Sequence, residues 1–355
     1  MNSAMSAALR QPHAPTEETL KMNPTESGLK YPQFTPGPLV DALAKLNSLY
    51  VETRFHRDAQ RQLRNLFRGA SIPKTDRLTL AIIGPTGSGK STALQQSVSW
   101  LRAFNELSPD SPDPVSRTAL SANTRPKEIL AKLLVDGGDP LSASGPQHQL
   151  ERRLAKLGPR FKPLGLALDE LHHCFENKAP REVALMASTL KNIVNHVPRP
   201  IVVMGVASLD AFLDSSAELR MRFRHRVYLE DPLIQRLEDV KDLLDLLTAM
   251  AKVVPCAADC LLNTKELLVR LLFASGGRFG AIVDLVKTAC LEGADDESPV
   301  VRLTDFSSAY KLSTSLTQRK VDADPFAMPY ADVLQLAKQA AELAKQVQFG
   351  QAGQA

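Results

Sequence analysis

Gly84-Pro-Thr-Gly-Ser-Gly-Lys90-Ser91 is the most informative stretch of the sequence, because it matches the phosphate-binding pattern GxxxxGK[ST] at every position. The apolar run 78–84 leads into it and is typical of a buried parallel strand, and a helix is predicted at 90–104. Glycines here let backbone N–H groups surround phosphates, and the helix N-terminus adds a positive dipole end. The pattern therefore predicts a P-loop that binds ATP through Gly84, Pro85, Thr86, Gly87, Ser88, Gly89, Lys90, Ser91 and Thr92.

A second apolar run, 164–170, ends in the two acids Asp169 and Glu170. One predicted strand separates it from the P-loop, which is the context of a Walker B motif. We expect Lys90 to reach the β- and γ-phosphates, and Ser91 and Asp169 to hold Mg²⁺. We expect Glu170 to orient and polarise the attacking water.

Apolar strands and amphipathic helices alternate over the first part of the chain, which predicts an α/β fold with a central parallel sheet. The predicted strands are 78–84, 116–123, 164–170 and 200–207, and the helices between them are 90–104, 125–136, 147–157 and 181–196. Beyond Pro232 only helical patterns follow, which predicts a small C-terminal helical lid. The predicted domains are a flexible N-terminal tail (1–35), a P-loop domain of the AAA+ type (36–232), the lid (233–316) and a C-terminal tail with a docking helix (317–355).

Two polar positions are candidates for sensing the γ-phosphate. Ser208 follows the predicted strand 200–207 and can serve as sensor 1, contacting the γ-phosphate or the attacking water; a simple turn hydroxyl is the alternative. Arg278 lies in the segment Ser-Gly-Gly-Arg-Phe-Gly (275–280) at the predicted start of a lid helix. From there it can swing toward the phosphates as sensor 2.

The stretch 218–226 has an arginine at every second position from Arg220, so on a strand the four arginines would share one face. A solvated basic strand or turn is one interpretation. The other is an arginine finger, which neutralises transition-state charge on the ATP of a neighbouring subunit. Arg222 is the first candidate for this catalytic role and Arg220 the second.

The charge balance permits binding to nucleic acid, because the net charge is +4. Arg125 and Lys127 follow the second predicted strand, and Lys178 and Arg181 follow the Walker B motif. Loops at these places can line a pore and direct cations at DNA phosphates, as can the basic run 151–162. A solvated surface is the alternative for each. No helix-turn-helix or zinc-finger pattern occurs, so we expect sequence-independent contact with double-stranded DNA.

The remaining patterns are less specific. No apolar run approaches the ~20 residues of a membrane helix, and the N-terminal segment lacks the apolar core of a signal peptide. We therefore expect a cytoplasmic protein with no membrane partner. The four cysteines lack CxxC spacing and are expected to be reduced thiols. His172 and His173 follow Glu170 after one leucine. They are expected to be surface residues at the start of a helix, and a catalytic role is the alternative.

Several segments resemble the TniB/TnsC family of transposition AAA+ ATPases, and the resemblance as a whole runs over about residues 36–312. They are ThrArgPhe (53–55) ahead of the AIIGPTGSGKS loop, the segment 123–134 followed by Gly-Asp-Pro, LALDELHH (166–173), PIVVMGVASLDAFL (200–213) with the box LeuArgMetArgPhe (219–223), and SGGRFGAIVDLVKTAC (275–290). The PIVVMG strand, the RMRF box and the SGGRFG helix are the most selective. Walker motifs alone are common to many ATPases.

The resemblance implies an ATPase that assembles with ATP and Mg²⁺ into rings or helical filaments around DNA. It also implies that the protein links a TniQ-like target-selection protein to the transposase. From the residues alone two other classes stay open. One is a remodeller similar to helicase loaders or clamp loaders, and the other is a secretion or signalling AAA+ ATPase that does not bind DNA.

The C-terminal tail carries the candidate for a partner contact. The segment 324–330 puts two aromatic residues and a methionine into a polar stretch, and a helix with a narrow apolar stripe follows. We hypothesise that this segment docks a transposition partner; packing on the protein's own lid is the alternative. The stripe consists of Val333, Leu334, Leu336, Ala337, Ala340, Leu343 and Ala344.

Overall fold

The computed structural model describes residues 37–70, 72, 78–139, 141, 144–230, 237–313 and 324–339, and the backbone alone of 23–24, 30–31 and 237–238. Most of the predicted N-terminal tail and residues 340–355 therefore lie outside the described residues, including Ala340, Leu343 and Ala344 of the apolar stripe. Within the N-terminal segment, β1 (Asn23–Pro24) pairs antiparallel with β2 (Lys30–Tyr31).

Five parallel strands form the central sheet, which confirms the predicted α/β fold. They are β3 (Thr79–Ile83), β4 (Val115–Ala119), β5 (Gly165–Asp169), β6 (Ile201–Gly205) and β7 (Arg226–Tyr228), in the order β4-β5-β6-β3-β7. The interior strand β3, which lies between β6 and β7, is buried at every residue, as its continuous apolar sequence requires. Because all neighbours are parallel, the carboxyl ends of the strands meet at one edge, where ligands bind in open α/β sheets.

Helices cover both faces of this sheet, and each face has its own apolar cluster. Leu130, Leu154 and Ile193 belong to one cluster, and Leu63, Leu94 and Val98 to the other. The helices of this layer are α2 (Arg54–Gly69), α3 (Lys90–Phe104), α4 (Pro126–Gly137), α5 (Gln147–Leu157), α6 (Pro180–His196), α7 (Ser208–Asp214) and α8 (Ala217–Arg222).

The arginine-rich stretch differs from the single strand that its spacing suggests. Arg220 and Arg222 lie on α8, which begins at a Ser216 cap whose side chain accepts the backbone N–H of Leu219. The chain enters β7 only at Arg226. The four arginines therefore do not share one strand face, because the local N-cap and the buried Leu219 favour a helical turn.

The helical lid contains α9 (Leu237–Ala251), α10 (Lys265–Ser275), α11 (Phe279–Asp295) and α12 (Leu303–Ser313). The first helix of the chain, α1 (Pro38–Ser48), packs on α11 and contributes Leu39, Ala42 and Leu46 to the lid cluster. The lid core thus includes residues from the N-terminal end of the predicted P-loop domain, far from the rest of the lid in the sequence.

A polar contact ties the lid to the sheet layer at the start of α2. The Arg54 guanidinium pairs with Asp239 of α9 at 2.6 Å, and the Asp239 carboxylate is fully buried. The backbone N–H of Arg54 also donates to Asp242 Oδ2 at 3.2 Å. A buried carboxylate with a charged partner resists separation, so α2 and α9 are held together at this point.

The C-terminal segment packs on the lid over its described part, 324–339, in agreement with the alternative that the sequence left open. Phe326 is buried and stacks on Phe306 at 5.4 Å between ring centroids. Arg270, 4% exposed, donates to the backbone carbonyls of Pro325 and Met328. Val333 of the apolar stripe is fully buried, so it is not available to a partner.

Candidate nucleotide-binding site

The P-loop connects β3 to α3, and Gly89 is the residue that most clearly requires glycine. Its φ of +86° is in the left-handed region, which side chains disfavour. A Cβ atom at Gly89 would lie 2.0 Å from Nε2 of His56. The loop therefore takes its shape from the glycine and from the histidine packed behind it.

His56 holds the loop from the α2 side. Its Nε2 lies 3.1 Å from the backbone oxygen of Ser88, and its Nδ1 lies 2.9 Å from Thr53 Oγ1. Burial lowers the pKa of His56, while the contact with the Ser88 carbonyl opposes that shift. In the neutral ring, Nε2–H donates to Ser88 and Nδ1 accepts from Thr53. No role for His56 was predicted from the sequence, although the segment ThrArgPhe (53–55) directly precedes it.

Lys90 begins α3 and is only 4% exposed. Its Nζ donates to the carbonyl oxygens of Gly84 and Pro85, at 2.8 and 2.9 Å. Burial lowers the pKa of Lys90, and the carboxylates of Glu170 and Asp169 raise it. The ammonium group thus lies within the loop that is predicted to surround the phosphates.

Ser91 and Asp169, predicted as the Mg²⁺ ligands, are in direct contact. The Ser91 hydroxyl donates to Asp169 Oδ2 at 2.7 Å. The other carboxylate oxygen of Asp169 accepts the backbone N–H of Glu170 at 2.9 Å. A hydroxyl and a carboxylate at one point are the hard oxygen ligands that Mg²⁺ prefers, so these residues fit that ion.

Glu170 leaves β5 with φ +55°, in the left-handed region. This conformation is uncommon for a residue with a side chain and often marks a functional position. It directs the chain into the 3₁₀ turn Leu171–Cys174. His172, two residues after Glu170, is 5% exposed. The expectation that His172 is a surface residue is therefore wrong. The turn buries His172 behind the Glu170 carboxylate, with 3.2 Å between Nδ1 and Oε2.

Ser208, the sensor-1 candidate, is the first residue of α7, and its hydroxyl donates to a carboxylate oxygen of Glu176. Glu176 lies close to His172, with 4.0 Å between Oε2 and Nε2. Ser208 is therefore joined to the surroundings of Glu170 through these two side chains.

The arginines of α8 and β7 differ in their partners. Arg226 binds Asp210 and Asp214 at 2.7 and 2.8 Å, and the hydrogen bond to Asp214 raises its pKa further. Arg220 contacts Asp214 as well, at 3.3 Å. Among the described residues, the Arg222 side chain has no ion pair, and it is half-buried. Arg222 is thus the less engaged of the two finger candidates.

Arg278 is placed next to the P-loop by an unusually close backbone contact. It is the N-cap of α11, and its Nε donates to the carbonyl of Ser275 at 3.2 Å. Two residues later, a Cβ at Gly280 would lie 2.7 Å from the backbone oxygen of Gly87. Only glycine permits this approach, which brings the start of α11 against the tip of the phosphate loop.

A cavity of about 610 Å³ lies between the P-loop and the lid. Its size is typical of a site for a small ligand. Opposite the P-loop, its wall is largely apolar and comes from α1, the loop after it, α9 and α11. The residues of this wall were not predicted; they include Leu46, Tyr50, Val51, Leu246, Phe279 and Val283.

The cations predicted to meet DNA lie in or just before the first turns of α4 and α6, at the carboxyl-end edge of the sheet. Arg125 and Lys127 are exposed at the start of α4, and Arg181 is exposed at the start of α6. Lys178 is half-buried just before it. Helices α4 and α6 are in contact. Within the part of the chain that the structure describes, no ion pair engages these four side chains.

The model of a family described as bacterial TniB protein matches residues 49–230. This is more than half of the chain. The chain belongs to the TniB family. The match confirms the resemblance, and it includes the P-loop, the Walker B acids and the arginine-rich box. A comparison with curated protein sequences gives no match.

Solved structures with a similar fold include ORC and Cdc6 proteins. The ORC2 protein of Aeropyrum pernix in ADPNP and ADP complexes has a TM-score of 0.55 at 14% identity, over 78% of this chain and 74% of that one. The ORC1 protein of the same organism in complex with DNA has 0.55 at 16%, over 78% and 69%. Cdc6p of Pyrobaculum aerophilum has 0.54 at 13%, over 76% and 70%.

These identities are low, so the likeness establishes the fold alone. Family and fold agree on an AAA+ ATPase. Among the described residues, no helix is both long and apolar enough to cross a membrane.

Proposed function

We propose that this TniB-family chain is an ATP-dependent regulator of DNA transposition. In this role it assembles on duplex DNA and links a TniQ-like target-selection protein to the transposase. The observation that carries the proposal is the family match over residues 49–230. The contact of Ser91 with Asp169, beside Glu170, supports an ATP-driven cycle.

In the proposed cycle the P-loop backbone and Lys90 bind the phosphates. Ser91 and Asp169 would hold Mg²⁺, which would neutralise the charge that develops on the phosphates. Glu170 orients the attacking water. Ser208 and Arg278 are proposed as sensors. The Gly87–Gly280 contact supports the role of Arg278, since it fixes the start of α11 beside the phosphates.

The proposed assembly places Arg222 in the site of a neighbouring subunit. Arg222 lacks an internal ion pair among the described residues, and the adjacent Met221 side chain is 68% exposed. A cation beside an exposed apolar residue is typical of a contact surface. A finger acts across a head-to-tail interface, which closes into a ring or extends as a helical filament. Arg220, already engaged by Asp214, is the second candidate.

The proposed DNA contact uses Arg125, Lys127, Lys178 and Arg181. Their position at one edge of the sheet and their lack of described acidic partners support this role. A cation without an ion pair does not have to break one before it binds a phosphate, so less free energy is lost on binding. Such contacts are independent of sequence and weaken steeply with salt through counterion release.

The test is ATP turnover and DNA binding with a non-hydrolysable ATP analogue, followed by electron microscopy of the complex. We expect duplex DNA to stimulate turnover and rings or filaments to form on it. Lys127→Glu and Lys178→Glu should weaken binding equally on unrelated sequences and lower the salt slope. Lys265→Glu, an exposed charge reversal at the start of α10, is the matched control. Sequence-specific binding that persists at high salt without ATP would contradict the proposal.

Arg222→Ala separates assembly from nucleotide binding. The variant should bind ATP as the wild type does, yet fail to form the DNA-bound assembly and lose turnover, since the finger completes the neighbouring site. Arg224→Ala, an exposed arginine two residues on, is the control. Full turnover by Arg222→Ala at a concentration where the protein is monomeric would exclude a finger at this position.

A further inference from the structure

Three side chains beside the proposed catalytic carboxylate have the composition of a transition-metal site. Glu170, His172 and His173 each offer one ligand atom, and these atoms lie within 4.8 Å of one another. The end of β5 and the 3₁₀ turn Leu171–Cys174 bring them together. Bonds to such an ion are about 2.0–2.2 Å long, so side-chain adjustments within one turn bring all three donors into range.

His172 is the observation that points to a ligand. It is 5% exposed, and within the described residues its Nδ1 forms no hydrogen bond. That atom lies 3.2 Å from Glu170 Oε2. Buried polar atoms without a partner are rare and need an explanation. A cation between this nitrogen and the carboxylate would satisfy both.

His173 gives the cluster a second nitrogen and an open side. Its ring centroid lies 4.1 Å from that of His172, and its side chain is half-buried. Two imidazoles and one carboxylate suit Zn²⁺, Co²⁺ or Ni²⁺, whereas Mg²⁺ prefers oxygen ligands alone. The cluster is thus chemically distinct from the hydroxyl and carboxylate of Ser91 and Asp169.

We propose that Glu170, His172 and His173 form a binding site for a borderline divalent transition metal of the Zn²⁺ class. The metal would engage the Glu170 carboxylate and withdraw it from the attacking water. It would therefore inhibit ATP turnover without displacing the nucleotide. This consequence rests on the proposed role of Glu170, while the binding site itself does not.

The binding test uses the full chain without any histidine tag and Co²⁺ as the probe, with Zn²⁺ as competitor. We expect one Co²⁺ per chain, ligand-field absorption in the visible, and displacement by Zn²⁺. His173→Gln should weaken binding by more than about tenfold, since even outer-shell changes cost about 10- to 100-fold in metal affinity. His196→Gln, an exposed histidine at the end of α6, should leave it unchanged.

Three outcomes would overturn the site. The first is no stoichiometric binding, and the second is binding that His173→Gln does not weaken. The third is a thiolate-to-cobalt charge-transfer band, which would assign the metal to a cysteine such as Cys174, the last residue of the same turn. The primary variant is His173→Gln, because His173 is only half-buried. A folding defect in His172→Gln, which changes a buried side chain, would therefore not affect the result.

The functional test measures turnover at saturating ATP and Mg²⁺ with increasing Zn²⁺. Wild type should lose turnover as the site fills. His173→Gln should keep its basal turnover and become resistant to Zn²⁺. Equal Zn²⁺ sensitivity in both proteins would overturn the inhibitory consequence. If Glu170→Gln turned over normally, the proposed role of Glu170 would fail, while the cobalt spectra would still decide the metal site.

Discussion

The cavity between the sheet and the lid has two walls that are built in different ways. The phosphate wall comes from the P-loop and the first turns of α3, and behind it Ser91 contacts Asp169 at the end of β5. The lid wall comes from three separate segments and is largely apolar, with residues such as Tyr50 and Phe279. A local motif specifies the first wall, whereas only tertiary packing assembles the second. The phosphate wall should therefore determine nucleotide affinity and ATP turnover, and the lid wall should have smaller effects on both.

Lys90→Ala should cause the greatest loss of nucleotide affinity. A charge-assisted contact to phosphate contributes roughly 2–3 kcal/mol, which corresponds to about 30- to 160-fold in affinity. Lys287→Ala removes a lysine from the lid wall of the same cavity and should change affinity by less than about threefold. Fluorescence anisotropy with a labelled ATP measures both. Equal losses of ATP affinity in the two variants would mean that the lid wall contributes as much to binding as the phosphate wall does.

Glu170→Gln should separate binding from chemistry within the phosphate wall. Turnover should fall by about 10²- to 10⁴-fold, because the water loses its general base, while ATP affinity stays close to that of the wild type. Asp295→Asn, at an exposed acid that ends α11, is the control for the change of charge. Release of inorganic phosphate measures turnover, and fluorescence anisotropy with labelled ATP measures affinity. Normal turnover in Glu170→Gln would show that the Walker B acid lies elsewhere.

Gly280→Val tests the contact between the two walls. The added side chain would meet the backbone of Gly87 at 2.7 Å, and overpacking of this kind costs about 1–3 kcal/mol. We expect ATP affinity to fall by about tenfold, since the lid can no longer approach the loop. Gly276→Asn is the control, because a Cβ there meets nothing within 4 Å and asparagine tolerates the left-handed backbone. An unchanged affinity in Gly280→Val would show that the contact is dispensable.

A pH effect at His56 should be the smallest of the four. Burial lowers its pKa below the usual value of about 6.5, so between the two values the unfolded chain binds more protons than the folded one. Stability should therefore fall as the pH drops from about 6.5 toward the folded pKa. Thermal unfolding of wild type and His56→Gln, at about pH 7.5 and pH 5.5, measures this.

His172 also titrates with a pKa lowered by burial, so both proteins should lose stability in acid. The wild type should lose more, and this difference is the contribution of His56. Identical pH profiles for the two proteins would mean that the pKa of His56 does not change on folding, which would contradict the lowering by burial.

The sequence was sufficient to predict the elements that consist of a continuous, buried apolar run. The strand 78–84 and the two acids after 164–168 could be placed because their burial and their chemistry are local. The last strand, β7, was not predicted, since it has only three residues and begins with Arg226. Nothing in its composition shows that it pairs with β3 in the sheet.

The rest of the candidate site depends on contacts between distant segments. His56 reaches Ser88 across 32 positions of the chain, and α1 joins a lid whose other helices begin at Leu237. Sequence periodicity identifies the apolar face of α1 but not its partner, because any apolar surface can cover it. The Gly87–Gly280 approach is equally invisible in the sequence, where Gly280 is only one of three glycines in SGGRFG.

The anchoring of Phe326 determines where the chain can be cut. A truncation at residue 316, the predicted end of the lid, would remove the ring that lies against Phe306 and Tyr310. It would also leave the buried Arg270 without two carbonyl partners. The loss of a buried phenylalanine alone costs about 3–5 kcal/mol. Shortened proteins for partner-binding experiments should therefore end after residue 339, because an earlier end would confuse a lost partner contact with a damaged lid.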